Sequence, residues 1–466
     1  MPGIDTGHTA WLLTSSALVL LMTPGLALFY GGLTRSKSVL NMIMMSFSSI
    51  ALVSLLWVIY GYSLSFSGDQ FNGLLGTFDA VGLRGLIHNQ PDGGVPELAF
   101  VAFQLMFAII TVALISGAIA DRAKFGSWLL FAGLWATLVY FPVAHWVFYF
   151  GDLADSGDGG WIADGIKAFD FAGGTAVHVN AGAAALALAI VLGRRVGWPR
   201  EKFKPHNVPM VLLGAGLLWF GWFGFNAGSA VAANGTAALA FINTQAATAC
   251  GILGWIIVEW IRDGKPTTLG AASGAVAGLV AITPACATIT PLGSLLLGIV
   301  AGAVCSLAVG LKYKLKYDDS LDVVGVHLVG GALGAMLIGL LANAFTGNTA
   351  GIGAEPMEGA LYGGGFLQLR QQAIAVVAVA MYSFAITLII GFAIEKTIGF
   401  RIKREAEIEG VDLAEHAETA YEFSSTGGGG GGFALAGLGG PPSTPAPDRA
   451  AEPASEPGRA PEKVAG

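Results

Sequence analysis

The sequence predicts an all-α polytopic membrane protein of eleven transmembrane helices, a 5+5 inverted repeat plus one extra helix, oriented N-out and C-in. Three observations predict it. First, 54% of the 466 residues are hydrophobic, only 12% are charged and the mean hydropathy is +0.67, which is too apolar for an ordinary soluble domain. Second, the chain divides into eleven apolar runs of about 20 residues, each long enough to cross a hydrocarbon core. Third, basic residues crowd every second connection, and that asymmetry sets orientation.

Taken in order, the runs fall near 9–32, 38–62, 97–121, 126–150, 172–193, 207–230, 236–261, 267–287, 290–311, 322–346 and 371–398. The first is preceded by Asp5 and His8 and followed by Arg35 and Lys37. A cleaved signal would carry a basic leader, so a retained span is expected. Pro24-Gly25 and Pro284 interrupt the first and eighth runs, which is tolerated where neighbours or a water-filled path satisfy the freed backbone groups. Gly270, Gly274 and Gly278 have the small-xxx-small spacing of close helix packing. Cys250, Cys286 and Cys305 lie in or beside apolar runs without a CxxC pattern, so they read as reduced packing residues.

Alternate connections carry Arg35 and Lys37; Arg122 and Lys124; Arg194, Arg195, Arg200, Lys202 and Lys204; Arg262 and Lys265; and Lys312, Lys314 and Lys316. The other set holds Arg84, Lys167 and Arg370. The first set is therefore expected inside. The loop after the fourth run contains Asp152, Asp155, Asp158 and Asp164; it would either weakly enrich cations at that mouth or simply keep the loop solvated. Three regions follow: 1–400 as the membrane domain, 401–423 as a charged cytoplasmic segment, and 424–466 as a Gly/Pro/Ala-rich tail expected to be disordered.

Two histidines stand inside apolar runs, His178 in Asp170 to Asn180 and His327 in Asp322 to Gly331. Ionisable groups at such positions usually face a protein interior or a pathway. His178 lies about eight residues into a span entered from outside and His327 about six into one entered from inside. At ~1.5 Å per residue both fall roughly 9–12 Å from opposite faces, the depth at which inverted-repeat transporters bind. Two unrelated histidines, each satisfied by a neighbouring helix, is the alternative. Toward the external mouth, the third run brings Phe103 and Phe107, the fourth ends His145-Trp146-Val147-Phe148, and the sixth places Phe225 and Ser229 four apart. Aromatic faces with a hydroxyl acceptor suit a small cation, although Phe107 and Phe225 alone read more readily as core packing. A bare ion does not readily cross an apolar lining behind them, whereas a neutral polar molecule can, and facing neutral imidazoles can each donate and accept. The residues alone thus imply a small cation or a neutral amine, gas or water.

Several segments together resemble the ammonium transporter family (Amt/MEP/Rh), in its bacterial Amt form: Pro24 to Gly32, Asp170 to Asn180, Lys204-Pro205-His206-Asn207, Gly221 to Ser229, Gly278 to Cys286 and Asp322 to His327. They occur in the family's order across residues 10–400. The resemblance implies a homotrimer of eleven-helix protomers in the plasma membrane, each with its own pore for ammonium and ammonia. It assigns Phe107 and Ser229 to external recruitment of ammonium, Phe107 and Phe225 to stacked rings closing the vestibule, and His178 and His327 to the hydrogen-bonded pore pair. Asp170 matches an acidic residue that is structural or assists deprotonation, and a cap on the fifth helix is expected of it. The family often has a second tryptophan where this chain has Phe148, so Phe148 or Trp146 would complete the cation–π cage, Phe being the weaker partner. Gly410 to Tyr421 resembles the family's cytoplasmic tail, which implies docking of a PII-type signalling protein.

The resulting expectation is recruitment of ammonium outside, loss of a proton, passage of ammonia past the histidines and reprotonation inside. Alternatives are passive Rh-like conduction of ammonia or carbon dioxide, and an ammonium sensor signalling through its tail. No cofactor motif, metal-ligand cluster or nucleophile–base pair occurs at suitable spacing, so neither an enzyme nor a nucleic-acid partner is expected.

Overall fold

A computed structural model describes residues 3–89, 94–151, 159–201, 203–347 and 357–421. The described residues are almost wholly helical: α1 (Thr6–Leu33), α2 (Val39–Phe66), α3 (Glu97–Ile119), α4 (Phe125–Phe148), α5 (Gly174–Leu192), α6 (Val208–Gly228), α7 (Gly235–Asp263), α8 (Thr268–Ile282), α9 (Pro291–Leu315), α10 (Val324–Leu341) and α11 (Leu367–Thr397). Two short helices follow, α12 (Arg404–Glu409) and α13 (Val411–His416). Asp152, Asp155, Asp158, Lys202 and the segment 424–466 lie outside the described residues.

Ten of these helices are long and apolar enough to cross a membrane, and α8 is not. The eighth run was expected to span 267–287, but α8 stops at Ile282 after 15 residues. Pro284 has no N–H to continue it and disfavours helical geometry just before itself. The chain turns instead, and the side chain of Asn243 on α7 donates to the carbonyls of Cys286 and Ile289, each at 2.8 Å. Freed carbonyls inside an apolar environment are thereby satisfied.

Short π-helical turns occur at the starts of α5 and α10, Gly174–Val179 and Val324–Leu328, which carry the two histidines. Glycine lets these segments approach. A Cβ on Gly182 would lie 2.4 Å from the Leu328 backbone nitrogen, and one on Gly331 would lie 2.9 Å from the His178 Cβ. Any larger residue would push α5 and α10 apart.

The ends of the bundle on the side of the basic loops are tied by buried charge. Asp121 contacts Arg195 at 3.1 Å and Arg35 at 3.3 Å, and Arg195 reaches Asp318 at 2.8 Å. Burial alone would raise both carboxyls, but Arg195 acts on each and holds them below the usual carboxylate range. The segment after α11 packs on this face. Asp412 accepts the N–H groups of Leu40 and Asn41 at 3.0 and 2.8 Å, capping α2, and Glu415 accepts that of Phe125 at 2.8 Å, capping α4. Glu407 takes the Val196 N–H and pairs with Arg401.

Candidate pore and its mouths

Phe107 on α3 and Phe225 on α6 meet with ring centroids 4.2 Å apart and planes inclined by 32°. Both are buried, at 1% and 0% exposure. Phe103 packs edge-on against Phe107 at 4.9 Å. One turn beyond Phe225, the Ser229 hydroxyl donates to the Phe225 carbonyl at 2.8 Å. Its lone pairs remain able to accept from a ligand.

The two candidates from α4 diverge. The Trp146 indole donates to the Leu74 carbonyl at 2.8 Å, and its ring lies against Tyr382 at 4.6 Å and Trp161 at 5.6 Å. Phe148 instead reaches the start of the His178 segment, with its ring edge 3.7 Å from the place a Cβ on Gly173 would occupy. Of the two, Phe148 is the one beside that segment.

Behind Phe225 the rings of Trp222, His178 and His327 follow in sequence. His178 stacks on Trp222 at 5.4 Å and 21° and on His327 at 5.3 Å and 28°. The two imidazole Nδ1 atoms are 3.3 Å apart, within hydrogen-bond reach, so one ring donates and the other accepts. His178 Nε2 is buried with no protein partner. The Trp222 indole is fixed by Thr283 at 2.9 Å, within the turn that Pro284 creates. The remaining lining is apolar, including Met22, Leu26, Phe29, Ile110 and Leu114, around a cavity of about 10 Å³, room for roughly one small molecule.

His327 also borders a wider cavity of about 180 Å³ lined by Tyr30, Ser273, Lys312 and Asp322. Lys312 pairs with Asp322 at 2.6 Å and donates to the Asp319 carbonyl at 3.0 Å. Aromatic rings, an apolar constriction with two imidazoles and a polar cavity thus lie in succession.

Each histidine segment is preceded by a buried aspartate. Asp170 accepts the backbone N–H groups of Gly173, Gly174, Thr175 and Ala176 at 2.7–3.2 Å, and the Thr175 hydroxyl. Asp319 accepts the Val324 N–H at 2.7 Å, and its other oxygen is buried without a partner. Burial pushes its carboxyl up to about 6, the neighbouring Lys312 opposing and Asp322 adding to the rise. Asp319 was not singled out from the sequence, nor was Trp222 as a pore residue. The signal for Asp319 is plain in hindsight: it stands eight residues before His327, as Asp170 stands eight before His178. Among the described residues no group of three or more His, Cys, Asp or Glu is placed to hold a metal ion.

Ten helices long and apolar enough to cross a membrane, packed around buried rings and paired imidazoles, define a polytopic membrane protein. Residues 10–421 match the model of the Ammonium Transporter Family. A relative from Mycobacterium tuberculosis, named an ammonium transporter, is 59% identical over 436 residues, covering 90% of this chain and 91% of its own. Among solved structures, Saccharomyces cerevisiae Mep2 superposes with a TM-score of 0.79 at 34% identity, covering 91% of this chain and 92% of that one. A protein described as a sensor Amt protein gives a TM-score of 0.79 at 27% identity, covering 88% and 98%. The chain belongs to the ammonium transporter family.

Proposed function

We propose that this protein transports ammonium and ammonia across the plasma membrane through a pore within each protomer. The observation that carries this reading is the His178–His327 contact inside an otherwise apolar constriction. An ammonium ion keeps its charge only where hydrogen-bond acceptors or aromatic faces replace its hydration, and apolar walls do not. Ammonia is neutral and can exchange hydrogen bonds with imidazoles. Ammonium is thus recruited outside by Phe107, Phe148 and Ser229, gives a proton to water near the Phe107–Phe225 rings, and passes His178 and His327 as ammonia, while that proton crosses by a separate route so that one charge moves with each ammonia. It is reprotonated in the polar chamber beyond.

In this scheme Asp170 acts on the backbone. Its two carboxylate oxygens serve five donors, which leaves it poorly placed as a base. The N-out, C-in orientation and the inverted repeat rest on the basic loops and on the matching Asp–His spacing in opposed segments. A homotrimer and a PII-type partner at the cytoplasmic face belong to the same reading, as does a regulatory role for 401–423.

The test is transport in liposomes. Replacing both His178 and His327 by Ala should abolish ammonium-selective flux, and undiminished selective flux in the double variant would reject the pore assignment. Internal alkalinisation without ammonium-specific current would shift the reading to passive conduction. Binding without any flux would shift it to a sensor.

A further inference from the structure

The last membrane helix, α11, stands outside the proposed repeat, yet its buried face carries polar groups, two of which bond residues flanking the His178 segment. Gln368, Gln372, Ser383 and Thr387 all lie on that face, and Gln372, Ser383 and Thr387 are 0% exposed. In a hydrocarbon environment such groups persist where they are paired.

Gln372 is fully used. Its Oε1 accepts the Phe169 N–H at 2.6 Å and a bond from Gln368 at 3.0 Å; its Nε2 donates to the carbonyl of Phe169 at 2.7 Å and that of Ala335 on α10 at 3.0 Å. It therefore grips both polar groups of the residue just before Asp170. Three turns along α11, the Ser383 hydroxyl donates to the Asn180 carbonyl at 2.8 Å, two residues beyond His178. Between these anchors lies the π-helical turn Gly174–Val179, whose backbone bonding differs from that of a regular helix and so depends on outside partners.

We propose that Gln372 and Ser383 are positioning residues for His178, and that the last helix is a splint holding the outer half of the pore. This rests on the assignment of His178 to the pore. The inner half is held differently: Asp319 offers the Val324 N–H one carboxylate oxygen and keeps the other unpaired, with Lys312 gripping its carbonyl. The splint gives the outer segment the more rigid seat. Its consequence is selectivity, because a shift of His178 of about 1 Å spoils both the Nδ1–Nδ1 contact and the stacking on Trp222, and misplacements of that size can cost about 100-fold in a positioned site.

The experiment uses the full chain in liposomes, with ammonium-evoked current, potassium as competitor ion, and oligomeric state and yield checked in detergent. The variants are Gln372→Leu, Ser383→Ala, the double variant, and Ser383→Thr, which keeps the hydroxyl. The splint requires ammonium-over-potassium selectivity to fall by at least about tenfold in the double variant at unchanged yield and assembly, less in Ser383→Ala, and not in Ser383→Thr. Full selectivity in a well-assembled double variant overturns it. If the double variant fails to assemble, Ser383→Ala decides: wild-type selectivity there overturns the proposal. The histidine variants run alongside separate the two questions. If they lose selectivity while the splint variants keep it, the splint fails and the pore assignment stands; if they keep it, the pore assignment fails first.

Discussion

Asp170→Asn probes the outer pore segment most sharply, because it changes one oxygen to an amide nitrogen at nearly constant volume. With the remaining oxygen in the place of Oδ1, Gly173 and Gly174 keep their acceptor. The amide nitrogen then faces the N–H groups of Thr175 and Ala176 and the Thr175 hydroxyl, all of which bond Oδ2. The hydroxyl can rotate to accept; the two N–H groups cannot. Hydrogen bonds to a charged group contribute roughly 1.5–3 kcal/mol each, so losing two or three with partial relaxation costs about 3–5 kcal/mol. That cost falls on the turn carrying His178. The assay pairs the thermal midpoint in detergent with ammonium-evoked current in liposomes. Both should fall, and Asp170→Ala, which leaves all five donors without the carboxylate, should be worse. An Asp170→Asn variant with wild-type midpoint and current would refute the capping argument. Wild-type stability with current lost would point to proton transfer by Asp170 instead.

Three further outcomes follow from the geometry. Phe148→Trp should lower the ammonium concentration for half-maximal current several-fold, since indole is the better cation–π partner by about 0.5–1 kcal/mol; Trp146→Phe should change it little, because that ring is turned toward Tyr382 and Trp161. Asp412→Ala removes the acceptor for Leu40 and Asn41 at the start of α2 and should cost about 1–2 kcal/mol of stability, seen as a lower midpoint that Asp412→Asn partly restores. Asp319 has its carboxyl raised from 3.8 to about 6 in the fold. The folded state therefore binds that proton more tightly than the unfolded chain. Its favourable contribution is full below about pH 4 and lost as pH rises through about 6, an effect of roughly 3 kcal/mol at most. Asp319→Asn should accordingly flatten the fall in thermal midpoint between pH 4 and 7; an unchanged slope would contradict the assignment.

Much of this was legible because the bilayer leaves few options. An apolar run of about 20 residues has to be a helix, and ten such helices stand close to where hydropathy put them. The eighth helix starts where expected but ends at Ile282 for a local reason: composition does not register that Pro284 ends a helix while Asn243, far away in sequence, collects the loosened carbonyls. The histidines could be read as one site because their depth follows from counting residues, whereas their ring order with Trp222 could not, since stacking depends on how α5, α6 and α10 pack. Trp146 and Phe148 sit two apart, and sequence alone could not say which faces the pore segment. That depends on a bond from the Trp146 indole to Leu74, in a distant loop. Gln372 escaped notice for a similar reason: among the glutamines that open an otherwise apolar helix, it stands out only once its four hydrogen bonds are seen.

In the proposed pore, ammonium-derived nitrogen passes between the Phe107–Phe225 rings and along His178 and His327. The most direct measurement is the transient current of purified protein in liposomes after an ammonium pulse, with potassium as control, for the wild type and the His178→Ala, His327→Ala double variant. The proposed pore gives an ammonium-specific current in the wild type and its loss, or loss of its discrimination against potassium, in the double variant. Selective current that persists without either imidazole would contradict it.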